Sequence, residues 1–136
     1  MPTIKKKAKK KRKLKGHYNR GEYTSPIAGL CKHRSGWELS YMKYLDENPD
    51  VTKWEYEKLK IEYVSNLRNG KIRNYIPDFY VEYIDGRREV VEIKPQRKLD
   101  QAIIKKKTSA AEAWCSSKGI TYTIITEVEL KNMNLL

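Results

Sequence analysis

Residues 72–94, IRNYIPDFYVEYIDGRREVVEIK, decide the fold of this chain. Aromatic and β-branched residues are interspersed with polar ones over Ile72–Ile84, so we predict one long strand there. Asp85-Gly86 is a strong hairpin signal, and Glu89–Lys94 is predicted to be the returning strand. Pro95 ends that strand, because proline has no amide hydrogen to donate to a ladder.

Upstream of this segment the sequence predicts a helix and further strands. Ser35-Gly36-Trp37-Glu38 has the spacing of a capping box, and Pro49 ends the helix that it starts. The segments predicted to be strands are residues 51–56 and 60–64. Asn69-Gly70 predicts a hairpin. Residues 21–34 are expected to be an irregular lead-in, since a proline and a glycine interrupt them.

Downstream, residues 98–117 have helical periodicity, and Gly119 is placed to cap the C-terminus of that helix. Its predicted buried stripe is Ile103, Ala110 and Trp114. A strand over Ile120–Ile125 and a short helix from Glu127 are expected to follow. The order α-β-β-β-β-α-β predicts an α/β fold in which helices flank one central mixed sheet of four to five strands.

Positive charge is concentrated at the N-terminus. The chain has 136 residues, of which 29 are Lys or Arg and 17 are Asp or Glu, for a net charge of +12. Residues 1–15 hold eight Lys, one Arg and no acid. A polycationic segment binds polyanions by releasing counterions. We therefore predict a basic tail, residues 1–20, that is disordered or binds DNA, and one domain over residues 21–136. The predicted DNA contacts in the tail are Lys5, Lys6, Lys7, Lys9, Lys10, Lys11 and Arg12.

The composition argues against several function classes. No apolar run approaches the roughly 18 residues of a membrane span, and no apolar stretch follows the basic N-terminus as it does in a secretory signal. Cys31 and Cys115 form neither a CxxC motif nor a disulfide framework. The sequence also lacks a glycine-rich phosphate loop. We therefore expect a cytoplasmic protein with no membrane partner.

Three acids and one lysine carry the candidate chemistry. Glu38 shares a helical face with apolar residues three, four and seven positions further on, and a carboxylate on such a face is costly unless it is paired. Asp78 lies inside the predicted long strand, directly after a proline. Glu92 and Lys94 point to the same face near the end of the returning strand.

The turn between these two strands decides whether Asp78 and Glu92 can act together. Opposed residues of an antiparallel pair share a face, so the two acids do so only if opposed positions add up to an even number. A strict two-residue loop at Asp85-Gly86 gives an odd sum and places them on opposite faces. A shared site therefore predicts a loop of three or five residues, or a bulge.

The set fits metal-assisted hydrolysis of a phosphodiester. Mg²⁺ takes oxygen ligands and keeps several waters, and the predicted ligands are Asp78, Glu92 and the backbone carbonyl of Ile93, with Mn²⁺ expected to substitute. The metal lowers the pKa of a bound water and neutralises charge that builds on the phosphate. Lys94 would orient that water, and Glu38 would hold a second metal or a metal-bound water.

Each of these residues also has an ordinary structural explanation. Asp78 could be a turn residue after a proline, and Glu92 with Lys94 could form the solvated face of an edge strand. Glu38 could be the capping-box acid alone. The four residues together, in this order, favour a catalytic site over the separate explanations.

Pro77-Asp78 followed by Glu92-Ile93-Lys94 resembles the motif of the PD-(D/E)XK nuclease superfamily. The chain is also similar to the TnsA-type endonucleases and the head-completion nucleases of tailed phages, and in part to phage junction-resolving endonucleases. The wider resemblance rests on residues 34–38, 45–49, 54–57, 75–79 and 119–127.

This resemblance implies a restriction-endonuclease-like core and a Mg²⁺-dependent DNA endonuclease. Such enzymes use no covalent intermediate and leave 5′-phosphate and 3′-hydroxyl ends. Asp78, Glu92 and Lys94 carry over as metal-binding and catalytic residues, and Glu38 as the acid on the helix. DNA is the implied substrate. Phage virion or recombination proteins are further implied partners, in the host cytoplasm or the virion.

Basic residues outside the tail are further candidates for DNA contacts. Arg34 opens the helix-start motif and is predicted to contact DNA. Lys107 falls near the predicted buried stripe, so it either contacts a phosphate or lies on a solvated face of the helix. Five more cluster at the ends of the two predicted hairpins, where they could follow a phosphate backbone without reading sequence. They are Arg68, Lys71, Arg73, Arg87 and Arg88.

The sequence leaves three functions open. The first is a DNA endonuclease that acts on ends, branches or packaged DNA. The second is a junction-resolving nuclease, which would act as a homodimer because a four-way junction offers two symmetric cuts. The third is a non-catalytic virion or head-completion protein that binds DNA with a nuclease-like fold. The intact acids and lysine disfavour the third.

Overall fold

The computed structural model describes residues 19–136. The predicted tail contacts, from Lys5 to Arg12, lie outside these described residues. Within these residues, the first element is a hairpin of β1 (Gly21–Ser25) and β2 (Gly29–His33). The expectation of an irregular lead-in is therefore wrong, because the proline and the glycine at positions 26 and 29 lie at the turn of a regular antiparallel pair.

Helix α1 (Gly36–Glu47) begins where the capping-box spacing predicted. Ser35 is its N-cap, and the Ser35 hydroxyl accepts the amide hydrogen of Glu38 at 3.1 Å. Asn48 ends the helix just before Pro49. The buried residues of α1 are Glu38, Tyr41, Met42 and Leu45, which is the face that the spacing predicted.

A mixed four-stranded sheet forms the centre of the molecule, as predicted. Its strands, in spatial order, are β3 (Val51–Tyr56), β6 (Phe79–Tyr83), β7 (Arg88–Ile93) and β8 (Thr121–Ile125). The pairs β3–β6 and β6–β7 are antiparallel, whereas β7–β8 is parallel and is joined through helix α2 (Ala102–Ser117). Side chains from α1 pack on one face and Cys115 of α2 packs on the other, so the adjacent Val90 and Val91 are both fully buried.

The segment predicted as one strand over residues 72–84 is two strands in two sheets. A separate hairpin of β4 (Ile61–Asn66) and β5 (Lys71–Tyr75) packs against α2, and the chain enters the central sheet only at Phe79. Pro77 lies between them. Because proline lacks an amide hydrogen and restricts the residue before it, it ends the ladder there.

The turn between β6 and β7 contains three residues, 84–86. The amide of Tyr83 donates to the carbonyl of Arg87 at 2.9 Å, and Gly86 has a φ of 93°, a conformation that glycine adopts readily. The register pairs Phe79 with Val91, so opposed positions add up to an even number. The prediction that this hairpin is not a two-residue turn is confirmed.

The C-terminal part differs from prediction mainly in the phase of α2. The buried residues of α2 are Ala111 and Cys115, whereas Ile103 is 43% exposed. Ala110 and Trp114 are half-buried and pack against the hairpin and the sheet, so the stripe is centred about one position later than predicted. Residues 96–98 form a single 3₁₀ turn, and helix α3 (Glu127–Asn132) follows β8 as expected. In the described part of the chain, no helix has the length and apolarity needed to cross a bilayer.

Candidate active site

Four acids and a lysine meet at one end of the central sheet, where β3 and β7 end and β6 and α1 begin. They line a cavity of about 490 Å³. The acids are Glu38, Glu57, Asp78 and Glu92, and the lysine is Lys94. The structure therefore brings together the four residues that the sequence predicted and adds one that it missed.

Glu57 is the residue that sequence reasoning missed. Carboxylate oxygens of Glu38, Glu57 and Asp78 all lie within 4.8 Å of one another. The amide of Glu57 donates to the carbonyl of Asp78 at 2.9 Å, and Glu57 has a φ of 54°. Tyr56 pairs with Phe79, so continuing that register by one residue places Glu57 opposite Asp78. Only knowledge of the β3–β6 pairing could have revealed this.

Glu38 is a buried acid that two protein donors hold in place. Its Oε1 accepts the amide hydrogen of Arg34 and the hydroxyl hydrogen of Tyr56, both at 2.7 Å. In a standard capping box the acid bonds the N-cap residue. Here it bonds the residue before Ser35 instead. Burial, together with the hydrogen bond to Glu38, raises the pKa of Tyr56, which keeps that hydroxyl protonated as a donor.

Asp78 and Glu92 are locked to each other's strands. Asp78 Oδ2 accepts the amide hydrogen of Ile93 at 2.8 Å, and the Asp78 amide donates to Glu92 Oε1 at 3.2 Å. Glu92 Oε1 also accepts from the hydroxyl of Tyr75 at 2.7 Å. Burial raises the pKa of both carboxyl groups, and the charges of Glu92 and Glu38 raise that of Asp78 further. A bound cation would relieve this crowding of negative charge.

The basic side chains around the cavity occupy different depths. Lys94 Nζ lies 3.4 Å from Glu92 Oε2, with the side chain 24% exposed. Lys107 Nζ lies 5.8 Å from the ring centroid of Tyr75 and lines the same cavity. Arg34 pairs with Glu57 at 3.2 Å and is 63% exposed at the rim. Lys107 and Arg34, both candidates for DNA contacts, thus border the acids.

The donor set suits a divalent cation. In each of three carboxylates one oxygen accepts a hydrogen bond from the protein. Glu38 Oε1 accepts from the amide of Arg34, Glu57 Oε1 from the guanidinium of Arg34, and Asp78 Oδ2 from the amide of Ile93. Hard cations such as Mg²⁺ prefer carboxylate oxygens, and these three carboxylates lie close enough together for one ion to reach an oxygen of each. The metal-binding roles predicted for Glu92 and the Ile93 carbonyl stay predictions.

Comparisons with known proteins also indicate a nuclease. Residues 48–127 match the family described as the TnsA-like endonuclease N-terminal domain, and that range contains Glu57, Asp78, Glu92 and Lys94. The head completion nuclease of Enterobacteria phage T4 is 29% identical over 121 residues, an alignment that covers 73% of this chain and 80% of the phage protein. Since the family match spans more than half of the chain, this chain belongs to the TnsA-like endonuclease family and is a nuclease of the PD-(D/E)XK type.

Proposed function

We propose that this nuclease is a Mg²⁺-dependent DNA endonuclease in which Mn²⁺ can substitute. The observation that carries the proposal is the group of three carboxylates, Glu38, Glu57 and Asp78, whose oxygens lie within 4.8 Å of one another in a cavity shared with Lys94. Binding alone does not require three acids in one cavity, two of them buried, because burying charge is costly.

The side chains divide the chemistry between them. Asp78, Glu57 and Glu38 hold the cation, with Glu92 and the Ile93 carbonyl as further ligands. Bound Mg²⁺ supplies Lewis acidity and neutralises charge on the phosphate. Lys94 donates a hydrogen bond to the attacking water and orients it, and Glu92 Oε2, 3.4 Å away, fixes the position of the Lys94 ammonium.

The rim of the cavity receives the DNA strand. Arg34 and Lys107 lie where they can contact phosphates that flank the scissile bond, and such contacts position DNA without reading its sequence. Water attacks the phosphorus and the bond to the 3′-oxygen breaks, so that the 3′-oxygen leaves as a hydroxyl and the phosphate stays on the 5′ end. The name of the phage T4 relative, head completion nuclease, supports DNA ends, branches or packaged DNA as the substrate, in the host cytoplasm or the virion.

A cleavage assay on two substrates tests the proposal. A supercoiled plasmid and a four-way junction are each incubated with Mg²⁺, with Mn²⁺ and with EDTA. We expect cleavage with either metal and none with EDTA. Asp78→Asn should abolish cleavage, whereas Glu112→Gln, at an exposed position of α2, should leave it unchanged. Equal cleavage in EDTA would refute the metal dependence. Cleavage of the junction alone would favour the dimeric junction-resolving alternative.

The basic tail is proposed to add affinity and not chemistry. A chain shortened to start at Gly16 lacks nine positive charges of residues 1–15. It should bind DNA more weakly, with a flatter dependence of log affinity on log salt concentration, yet cut at the full rate when DNA is saturating. An unchanged salt slope would contradict this role.

A further inference from the structure

The β4–β5 hairpin presents cations that have no internal partner. Arg68, Lys71 and Arg73 are exposed, and in the described part of the chain their side chains form no ion pair and no hydrogen bond. Surface cations with no acid beside them add their whole charge to the local field that a polyanion meets. This hairpin is therefore a candidate surface for a nucleic acid backbone.

The β6–β7 hairpin provides the contrast. The Arg87 guanidinium pairs with Asp85 at 2.7 Å and lies 4.5 Å from the ring centroid of Tyr83. The Arg88 guanidinium donates to the carbonyl of Lys118. The turn of this hairpin also lies at the opposite end of the central sheet from Asp78 and Glu92. The five basic residues grouped together by sequence thus divide into three that are available and two that are engaged elsewhere.

The available cations are connected to the catalytic cavity. Asn74 and Tyr75, at the end of β5, line that cavity together with Lys107 of α2. One residue before Lys107, Lys106 donates from Nζ to the carbonyl of Ser65 at 2.9 Å and borders the same surface depression as Arg68. Positive side chains therefore run from the cavity along α2 to the tip of the hairpin.

The length of β5 sets the distance over which such a contact would act. Its five residues, Lys71–Tyr75, extend about 17 Å at about 3.3 Å per residue. Double-stranded DNA advances about 3.4 Å per base pair, so the tip lies about five base pairs from the cavity.

We propose that the arm, defined as residues 61–75 together with Lys106, grips the phosphate backbone of double-stranded DNA about two to five base pairs to one side of the phosphodiester that is cleaved. This inference rests on the proposed function, since it takes DNA as the substrate. The arm contributes affinity and register through Arg68, Lys71 and Arg73, and it takes no part in the hydrolytic step.

Salt-dependent binding of the full chain to a labelled mixed-sequence duplex, in EDTA so that no cleavage occurs, tests the arm. The triple variant Arg68→Gln, Lys71→Gln, Arg73→Gln should flatten the log–log salt slope by about 2 to 3, since each phosphate contact contributes about 0.9. The matched control, Arg87→Gln with Arg88→Gln, should keep the wild-type slope. The double variant Arg68→Lys, Arg73→Lys keeps the charge and should also keep the slope.

A footprint in EDTA, on a duplex whose cleavage position has first been mapped with Mg²⁺, tests the position of the contact. The triple variant should lose protection about two to five base pairs from the mapped position and keep it at that position itself. A wild-type slope in the triple variant, or equal flattening in the matched control, would overturn the inference. If the chain binds DNA through the arm but never cleaves it with Mg²⁺, the proposed function fails and the arm stands. If the wild-type chain cleaves DNA with Mg²⁺ but the triple variant binds DNA like the wild type, the proposed function stands and the role of the arm fails.

Discussion

The two glycine-containing hairpins of this nuclease show how similar local sequences acquire opposite roles. Asn69-Gly70 closes β4–β5 and Asp85-Gly86 lies in the turn of β6–β7, and both glycines have positive φ, 69° and 93°. The β6–β7 hairpin lies in the central sheet with both faces covered, whereas within residues 19–136 the β4–β5 hairpin is packed on one face only, against α2. The β6–β7 hairpin carries buried acids at its open end, and the β4–β5 hairpin carries exposed cations.

The difference shows that the burial of the charged side chains, and not the type of turn, decides what each hairpin can bind. Burial makes a carboxylate costly and so favours a cation that neutralises it. Exposure leaves an arginine solvated and available for a mobile polyanion. The contrast can be tested at four places in the molecule.

The largest effect is expected in the core beneath the acids. The Phe79 side chain is 1% exposed, and its ring centroid lies 5.1 Å from that of Tyr41 and 5.5 Å from that of Tyr56. Phe79→Ala should cost about 3–5 kcal/mol of unfolding free energy because it leaves a cavity. Ile72→Ala, on the exposed side of β5, should change it by less than about 0.5 kcal/mol. Urea unfolding measures both, and comparable losses would break the contrast.

Next in size is the loss of Lys94 at the end of β7. Lys94→Ala should reduce turnover by about 10²–10³, which is typical when one group that stabilises the transition state is removed. Metal binding should persist or tighten slightly, since a positive charge near the site is removed. Calorimetric titration with Mg²⁺ beside a cleavage assay measures both. A variant that loses metal as badly as Asp78→Ala would show that Lys94 is not a group acting on water.

In contrast to its effect on catalysis, Asp78→Asn should stabilise the metal-free protein. The pKa of Asp78 is raised by burial and by the charges of Glu92 and Glu38, so the folded state binds its proton more tightly than the unfolded state does. Stability is therefore lost as pH rises from the ordinary aspartate pKa through the raised one, by about 1.4 kcal/mol for each pH unit that separates the two pKa values. The variant does not suffer this loss, and its amide oxygen can still accept from Ile93.

Melting temperatures in EDTA at about pH 5 and about pH 8 check this prediction. The wild-type protein should lose more stability between the two than the Asp78→Asn variant, and the variant should melt higher at the upper pH. A variant that is less stable than the wild type at both pH values would mean that the Asp78 carboxylate is not a source of strain.

The smallest effect is expected at the two turns. A Cβ added at Gly70 or Gly86 would meet nothing within 4 Å, so only the backbone conformation resists substitution. Gly70→Ala and Gly86→Ala should each cost about 1–2 kcal/mol. Nearly equal losses in urea unfolding would show that the turns are interchangeable and that the strands create the difference. A cost confined to one turn would contradict this.

Local rules of sequence were enough where neighbours along the chain decide the structure. The cap at Ser35, the end of α1 before Pro49 and the buried face containing Glu38 follow from hydrogen bonding and helical periodicity within a few residues. The three-residue turn followed from parity, because two acids on one sheet face restrict the loop to certain lengths. The shared site of Asp78 and Glu92 was the hypothesis, and the loop length was what it predicted.

The errors arose where distant segments decide. The chain crosses from one sheet to another at Pro77, although the strand-like composition continues beyond it. Glu57 joins the acids only because β3 pairs with β6, a contact between segments that are separated along the chain. Ile103 is more apolar than Ala111, yet it is Ala111 that is buried, since a small side chain lets α2 approach the hairpin closely.

Tyr75 makes the arm and the cavity parts of one mechanical unit. Its backbone ends β5, and its hydroxyl bonds Glu92 at 2.7 Å and lies 2.9 Å from the hydroxyl of Tyr122. If the arm lifts from the body, a buried carboxylate loses a donor, at a cost of about 1–3 kcal/mol. A duplex that presses the arm against the rest of the protein would therefore keep Glu92 in place, whereas DNA that lifts the arm would remove the Tyr75 donor from Glu92.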